Sequence, residues 1–378
     1  MSTENAVSFL KECLAVPSVN GSDNEGKMAE FLCKYFLSCH AQAQVQPIDE
    51  THANVIASIP GTREGTIIWN GHLDTVPYGA RESWHTDPAV PVEKDGRIYA
   101  RGASDMKGGL AGMAYVFGKL AASGIRPEKT LVFAGTCDEE KGGLGAARLL
   151  EAGLFPEAEL LLVGEPTGCD LGTAQKGCIW LEVQVRGITS HAAYPWQGKN
   201  ALEYGFEALM ELKRFVGSFS HPVLGSATAQ ITMTQGGIAP NMVPDEASFL
   251  LDVRTVPGLD LDRVLEKWEE ITGRLDRESD GGIRFQTEVK NHRMALEIEE
   301  DHPWVLRLEK LVQETRGSCS RIGINFFTDA SVFRRQFRVP VLLFGPGEPD
   351  MAHKPDEYVD IGKYLDYIRM LERAFGIC

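Results

Sequence analysis

Two histidines and five acids stand where short apolar runs give out. The run at 66–69 is followed by GHLDTVP, which carries His72 and Asp74. The run at 130–134 leads into GTCDEEKGG, with Asp138, Glu139 and Glu140, and that at 160–163 into GEPTG, with Glu165. A late run, 339–344, opens into GPGEPDMAH and closes the series at His353. One more acid, Asp105 of RGASDMKGG, lies just ahead of a helical stretch at 107–122, where the positive end of a helix favours a carboxylate.

Imidazole and carboxylate are the ligands that borderline divalent cations take. Two such cations roughly 3.5–4 Å apart need one bridging carboxylate and one or two further ligands each. Such a pair would bring a shared water's pKa from about 15.7 toward ~7. A carboxylate outside the ligand set could then take the proton and deliver it to a leaving group. Asp74, two residues from His72, is placed to orient the imidazole from behind. Taken singly, each feature has a bland explanation. His-x-Asp triplets are commonly structural, a Glu pair before a helix compensates its dipole, and Glu-Pro after a strand is a turn. The set stands out because every member occupies an equivalent strand-end position flanked by Gly and Pro.

The elements that must position these residues can be read from periodicity. Continuous apolar runs of four to six residues suit strands buried on both faces, as in a largely parallel sheet covered by helices. Helical stretches at 107–122 and 142–152 separate them. In open α/β sheets ligands bind beyond the carboxyl ends of the strands, which is where the acids and histidines fall. Between about 178 and 290 the style changes. Apolar Ile179, Leu181, Val183 and Val185 alternate with Trp180, Glu182, Gln184 and Arg186, and Phe249, Leu251 and Val253 alternate likewise. Alternation marks half-exposed antiparallel strands. Strands at 179–186, 228–234, 247–254 and 283–289 with helices at 200–215 and 261–275 give the βαββαβ order of a ferredoxin-like unit. The expectation is an α/β catalytic domain at 1–177 and 291–378, interrupted by an α+β domain at 178–290.

GHLDTVP, GASDMKGG, DEEKGG, GEPT and GPGEPDMAHKPDEY, in that order from about residue 70 to 360, resemble the dinuclear zinc metallopeptidase family. That family includes acetylornithine deacetylase, succinyl-diaminopimelate desuccinylase, carboxypeptidase G and aminoacylase. The resemblance implies two divalent ions, zinc with cobalt or manganese as substitutes. His72 and Glu165 would hold one, Glu140 and His353 the other, and Asp105 would bridge. It further implies Glu139 as the general base and Asp74 as the residue behind His72. The implied fold is a zinc-peptidase-like catalytic domain with an inserted lid that dimerises. His191, in ITSHAAYP, would then reach across the dimer to the developing oxyanion. Arg254 and Asn241 would grip a substrate carboxylate, Arg bidentately, and the backbone of Gly345 and Gly347 would line the pocket.

Composition removes other classes. A formal net charge of −15 argues against a nucleic-acid partner and against docking on an anionic membrane. No stretch nears the roughly 20 apolar residues of a membrane span. MSTENAVSFLKECLAVPSV has neither a basic start nor an apolar core, so no signal peptide is expected. The eight cysteines are scattered without a CxxC pair, which suits reduced thiols in the cytoplasm. Neither GxxxxGK[ST] nor GxSxG occurs, and Gly345-x-Gly347 lacks the third glycine of a dinucleotide loop. The expected activity is hydrolysis of the amide of a small N-acyl amino acid by a metal-activated water, in a homodimer. A carboxypeptidase or dipeptidase acting on a short peptide is the enzymatic alternative. A non-catalytic ligand-binding relative is the alternative of another class.

Overall fold

The computed structural model describes residues 3–153, 158–334 and 339–376. It contains two compact units. The first comprises Met1–Thr173, Ile298–Ile322 and Thr328–Cys378, and the second Ala174–Glu297 and Gly323–Phe327.

In the first unit, strands Thr130–Thr136, Thr66–His72, Ala158–Val163 and Val341–Leu343 lie side by side and parallel. Ala53–Ile59 and then Gln42–Pro47 extend the sheet antiparallel on one flank, and Leu171–Gln175 pairs antiparallel on the other. The central strands are buried on both faces, which is why their sequences are unbroken apolar runs. Their register matters more than their number. His72 pairs with Thr136, and Asn70 with both Ala134 and Val163. The pattern runs past the strands, since Gly164 donates to the Asn70 carbonyl and Phe344 to that of Val163. The carboxyl ends therefore finish at one level, and whatever follows each run is delivered to the same edge.

Helix Lys107–Ser123 is buried along most of its length and packs on this sheet. Phe117 meets Trp69 of the sheet with ring centres 6.5 Å apart, and Phe375 closes on the same indole at 4.8 Å. The short helix expected at 142–152 begins only at Leu144. The amides of Gly142 and Gly143 turn back to the Asp138 carbonyl, with Gly143 in the left-handed region at φ 69°, so the chain completes a turn before helical bonding starts.

The second unit is a four-stranded antiparallel sheet in the order Thr228–Gly236, Glu246–Thr255, Gly177–Arg186, Arg284–Arg293. Helices Ala201–Gly217 and Leu261–Glu278 complete it, their first turns capped by the Asn200 and Asp260 side chains. Burial alternates strictly along Glu246–Thr255, as the sequence period requires. Val264, Trp268, Ile271 and Leu275 form the buried stripe of the second helix. This is a ferredoxin-like α+β unit. Its Thr228–Gly236 strand is an edge, mostly exposed, and carries Met233 at 66% exposure. No helix among the described residues is long and apolar enough to cross a membrane.

Trp69 is fully buried at the middle of the parallel sheet. Trp69→Ala should cost about 3–5 kcal/mol, because the surrounding rings cannot collapse into the space it leaves. Urea unfolding followed by circular dichroism will show this as a lower midpoint.

Candidate metal centre

The sheet edge assembles what the register promises. His72 is the last residue of its strand and is buried, with Nε2 3.1 Å from Asp105 Oδ1. The other oxygen of Asp105, Oδ2, lies 3.4 Å from His353 Nε2. That same imidazole nitrogen is 3.1 Å from Glu140 Oε2. One ligand atom each from His72, Asp105 and Glu140 fall within 4.8 Å of one another. Glu139 and Glu165 are buried, and among the described residues their carboxylates make no hydrogen bond or ion pair. His353 reaches its place with a left-handed backbone, φ 63°, a strain that side chains with a Cβ accept where surrounding contacts enforce it.

Asp74 stands behind His72 and also does a second job. His72 Nδ1 is 2.9 Å from the Asp74 backbone carbonyl, whereas the Asp74 carboxylate stands off at 3.7 Å. That carboxylate is drawn instead to the turn beside it. Oδ1 accepts from the Glu139 amide at 3.2 Å, and Oδ2 from the Glu140 amide at 3.1 Å and from Asn20 Nδ2 at 2.9 Å. Asp74 thus holds in place the peptide units that carry Glu139 and Glu140. Asp138, beside them, is held by Asn20 and by the buried Glu25, which accepts its amide.

The charge balance of this edge is lopsided. Burial lifts the carboxyl groups of Glu139 and Glu165 well above the ordinary range, and neighbouring carboxylates reinforce it while His72 opposes. Burial raises Glu140 as well, against its hydrogen bond to His353. Burial also penalises the charge on Asp105, but its bonds to His353 and His72 hold it below the usual carboxylate value. Hydrogen bonds to Asp105 and Glu140 push His353 up to about 10. His72 rises well above its normal value despite burial, because Asp105, Glu165 and Asp74 surround it. Four carboxylates facing two imidazoles lack positive charge, and their donor atoms are those that borderline divalent cations prefer. The residues present therefore fit a pair of such cations.

Gly345 and Gly347 act through close approach. A Cβ on Gly345 would overlap the carbonyl oxygens of Gly164 and Glu165, and one on Gly347 that of Ser104. They let the late loop lie against the backbones that carry Glu165 and Asp105.

In the second unit, the loops bearing His191 and Asn241 lie side by side: Ala192 donates to the Asn241 carbonyl at 2.9 Å, and His191 bridges Met242. Both residues are exposed. Arg254 is elsewhere. It pairs with Cys178, whereas Glu246, at the other end of the same strand, pairs with Arg186 just before the His191 loop. Eight residues of strand at ~3.3 Å each put about 26 Å between the two ends. Arg254 makes two hydrogen bonds to Asp252, at 2.8 and 3.1 Å.

Several residues near these groups escape sequence reasoning. Arg293 also pairs with Cys178 from the far side, and both guanidinium groups lie over the Phe327 ring, at 5.7 Å for Arg254 and 5.5 Å for Arg293. Lys176, nearly buried, has its pKa lowered by burial and by Arg254. Asp329 is buried in the first unit, and its charge contributes to raising Glu139 and Glu165. Lys176 stands in AQKG (174–177), which follows GEPT (164–167), where a weighting of basic residues after the motif could have flagged it. Asp329 and Arg293 carry no local signal.

Comparison with known proteins gives a consistent picture. Residues 68–376 match the model of peptidase family M20/M25/M40. A Staphylococcus aureus protein named probable succinyl-diaminopimelate desuccinylase is 28% identical over 407 residues, covering 99% of this chain and 97% of that one. Acetylornithine deacetylase of Vibrio campbellii is 30% identical over 368 residues, covering 95% and 94%. Among solved structures, aminopeptidase PepT from Bacillus cereus has the same fold, with a TM-score of 0.79 at 20% identity, covering 99% of this chain and 98% of that one.

Asp74→Asn leaves one side-chain oxygen to accept and turns an NH2 toward a backbone N–H, so the 139–140 turn loosens. Turnover should fall about 10–100-fold, the usual cost of losing a residue that orients the reacting groups. Far-ultraviolet circular dichroism should not change. Wild-type turnover by the variant would show that the carboxylate is dispensable to the turn.

Proposed function

Since the chain belongs to peptidase family M20/M25/M40, a family of hydrolases, we propose that it cleaves the amide bond between a small acyl group and an amino acid with a free carboxylate. The observation that carries the reading is Asp105, whose two oxygens face separate imidazoles, together with a buried Glu139 to which neither imidazole is hydrogen-bonded among the described residues. His72 and Glu165 would hold one divalent ion, Glu140 and His353 the other, with Asp105 between them. Zinc is the metal proposed, with cobalt or manganese able to replace it. When bound, the two ions supply Lewis acidity that acidifies a water and polarises the amide carbonyl.

The chain's own groups do the rest. Glu139 takes the proton of the attacking water and returns it to the leaving nitrogen. Glu139 is buried beside the proposed ligand Glu140, and burial lifts its carboxyl above the ordinary range. Asp74 fixes the turn on which Glu139 sits. His191 donates to the carbonyl oxygen as negative charge develops there, and such a donor can be worth about 2.7–4 kcal/mol. Arg254, supported by Arg293 and Lys176, takes the substrate carboxylate; Asn241 assists from the other loop. His191 and Asn241 stand at the opposite end of the sheet from Arg254, farther than a small substrate spans. The two groups can therefore serve one substrate only if they come from different chains. A homodimer is the consequence, and the exposed edge strand Thr228–Gly236 is a surface on which a second copy can pair. The seven described cysteines are free thiols, six of them buried, which suits the cytoplasm.

The acyl group is tested directly. N-acetylornithine and N-succinyl-diaminopimelate are offered side by side, with zinc and with chelator. Turnover of one of them, lost with chelator and restored by zinc, is expected. Turnover indifferent to chelator would sink the metal reading, and cleavage of dipeptides alone would make the protein a peptidase.

Glu139→Gln should reduce turnover to background while metal analysis still finds about two ions per chain. Retained activity would remove Glu139 from the proton transfer. His191→Ala and His353→Ala are each inactive on this model. Mixing them into heterodimers should restore part of the activity, because one site then has an intact imidazole from each chain. Absence of any recovery rules out action across the dimer.

A further inference from the structure

A further buried carboxylate stands behind the site, and it belongs to none of the groups assigned above. Glu357 is fully buried. Its Oε1 accepts the amides of Ser104 at 2.8 Å and of Asp105 itself at 2.9 Å. Its Oε2 accepts the Gly102 amide at 3.0 Å and Arg101 Nη1 at 2.7 Å. Arg101 is buried too, lies over the Trp84 ring at 4.9 Å, and donates to the Lys354 carbonyl at 3.1 Å. Arg101 precedes Asp105 by four residues, and Glu357 follows His353 by four. One ion pair thus ties the turn that presents Asp105 to the loop that presents His353.

We propose that the Arg101–Glu357 pair is a positioning device for the Asp105–His353 half of the metal centre, holding both ligands at binding distance. This rests on the metal reading given under Proposed function. The alternative, that the pair simply stabilises the fold, is weak on physical grounds. A buried ion pair contributes little net stability, because desolvation of both charges offsets their attraction. Its geometry is specific instead. A carboxylate whose two oxygens take three backbone amides of one five-residue turn fixes the path of that turn, which no apolar side chain could do. Ser104 adds a second tie between the same segments, donating through Oγ to the Tyr358 carbonyl and accepting the Glu348 amide, both at 2.8 Å. The Asp105 carboxylate is in this way aimed by its own backbone amide, and the His353 loop by the Lys354 carbonyl next to it.

Glu357→Gln keeps the shape and one acceptor oxygen but gives up the charge and aims an NH2 at a backbone N–H. The experiment is titration of cobalt(II) into metal-free protein, read by visible absorption and by equilibrium affinity. Wild type should take up two ions. The variant should bind both ions more weakly, because Asp105 would serve both, and the ion that His353 would hold by about 10–100-fold, with an altered absorption band for the weaker ion. Because the single change leaves Arg101 buried without its partner, Arg101→Met combined with Glu357→Gln is measured alongside, and the same weakened site is expected there. Folded variants that bind both ions with wild-type affinity and spectrum overturn the proposal. If wild type itself takes up no cobalt, the metal reading fails, and this inference falls with it.

Discussion

Repulsion among carboxylates gathered at one edge of a low-dielectric sheet is the constraint around which the first unit is organised. Glu139, Glu140 and Glu165 converge there because parallel strands in matched register end at one level, and Asp105 joins them from the turn ahead of helix Lys107–Ser123. Any segment free to relax would swing its acid outward into water, where a charge is far better solvated. The surrounding structure prevents this with backbone ties rather than with bulk. Asp74 holds the amides of Glu139 and Glu140, Glu357 holds those around Asp105, and Gly345 and Gly347 let the late loop press on Gly164, Glu165 and Ser104. Each anchor is itself buried, so the edge has two layers of acid. The inner layer faces the metal-ligand cluster, and the outer one is hydrogen-bonded to backbone N–H groups.

That layering explains why the inner acids have the electrostatics they do. An amide donor works against the burial of a carboxylate, and Glu357 takes three of them and Arg101 besides, although burial still raises it. Glu139 and Glu165 collect none among the described residues, so burial acts on them unopposed except by His72. The protein spends its hydrogen-bond donors on placing these groups and leaves their charge to be met by something bound. A site in this condition is prepared for cations and is poorly satisfied without them.

How far the molecule is legible from its sequence follows the same physics. The runs at 66–69, 130–134 and 160–163 are readable because burial on both faces demands unbroken apolar residues, and the alternation at 179–186 because burial on one face demands a period of two. His72, Asp105, Glu140 and His353 are readable because each follows such a run or opens a helix beside Gly and Pro, and the structure brings these four together. The helix start at Leu144 is not, since the preceding Gly-Gly closes a turn through bonds to Asp138 that no local propensity encodes. Spacing points from Asp74 to His72, which its backbone carbonyl meets at 2.9 Å, but not to the amides of Glu139 and Glu140, 65 and 66 residues away, which its carboxylate also takes. Arg101 and Glu357 sit inside the motifs RGASDMKGG and GPGEPDMAHKPDEY, but nothing local gives either a partner, and only the fold, joining residues some 250 apart, shows them paired and buried.

A fold stabilised mainly by its apolar layers can tolerate such anchors because they need not add stability. The Trp69, Phe117 and Phe375 cluster and the helices around it make the first unit compact without help from the buried ions. This frees Arg101, Glu357, Asp74 and Glu25 to be chosen for geometry, and it frees His353 to occupy a strained left-handed backbone. The two demands meet at the ends of the strands. There the apolar layer stops, dielectric screening begins to rise, and a turn of a few residues must be as rigid as the sheet it leaves. Side-chain carboxylates bonded to successive amides supply that rigidity, because they fix the peptide planes themselves rather than the side chains attached to them. In this molecule, the residues nearest the chemistry are held by acids that never touch it.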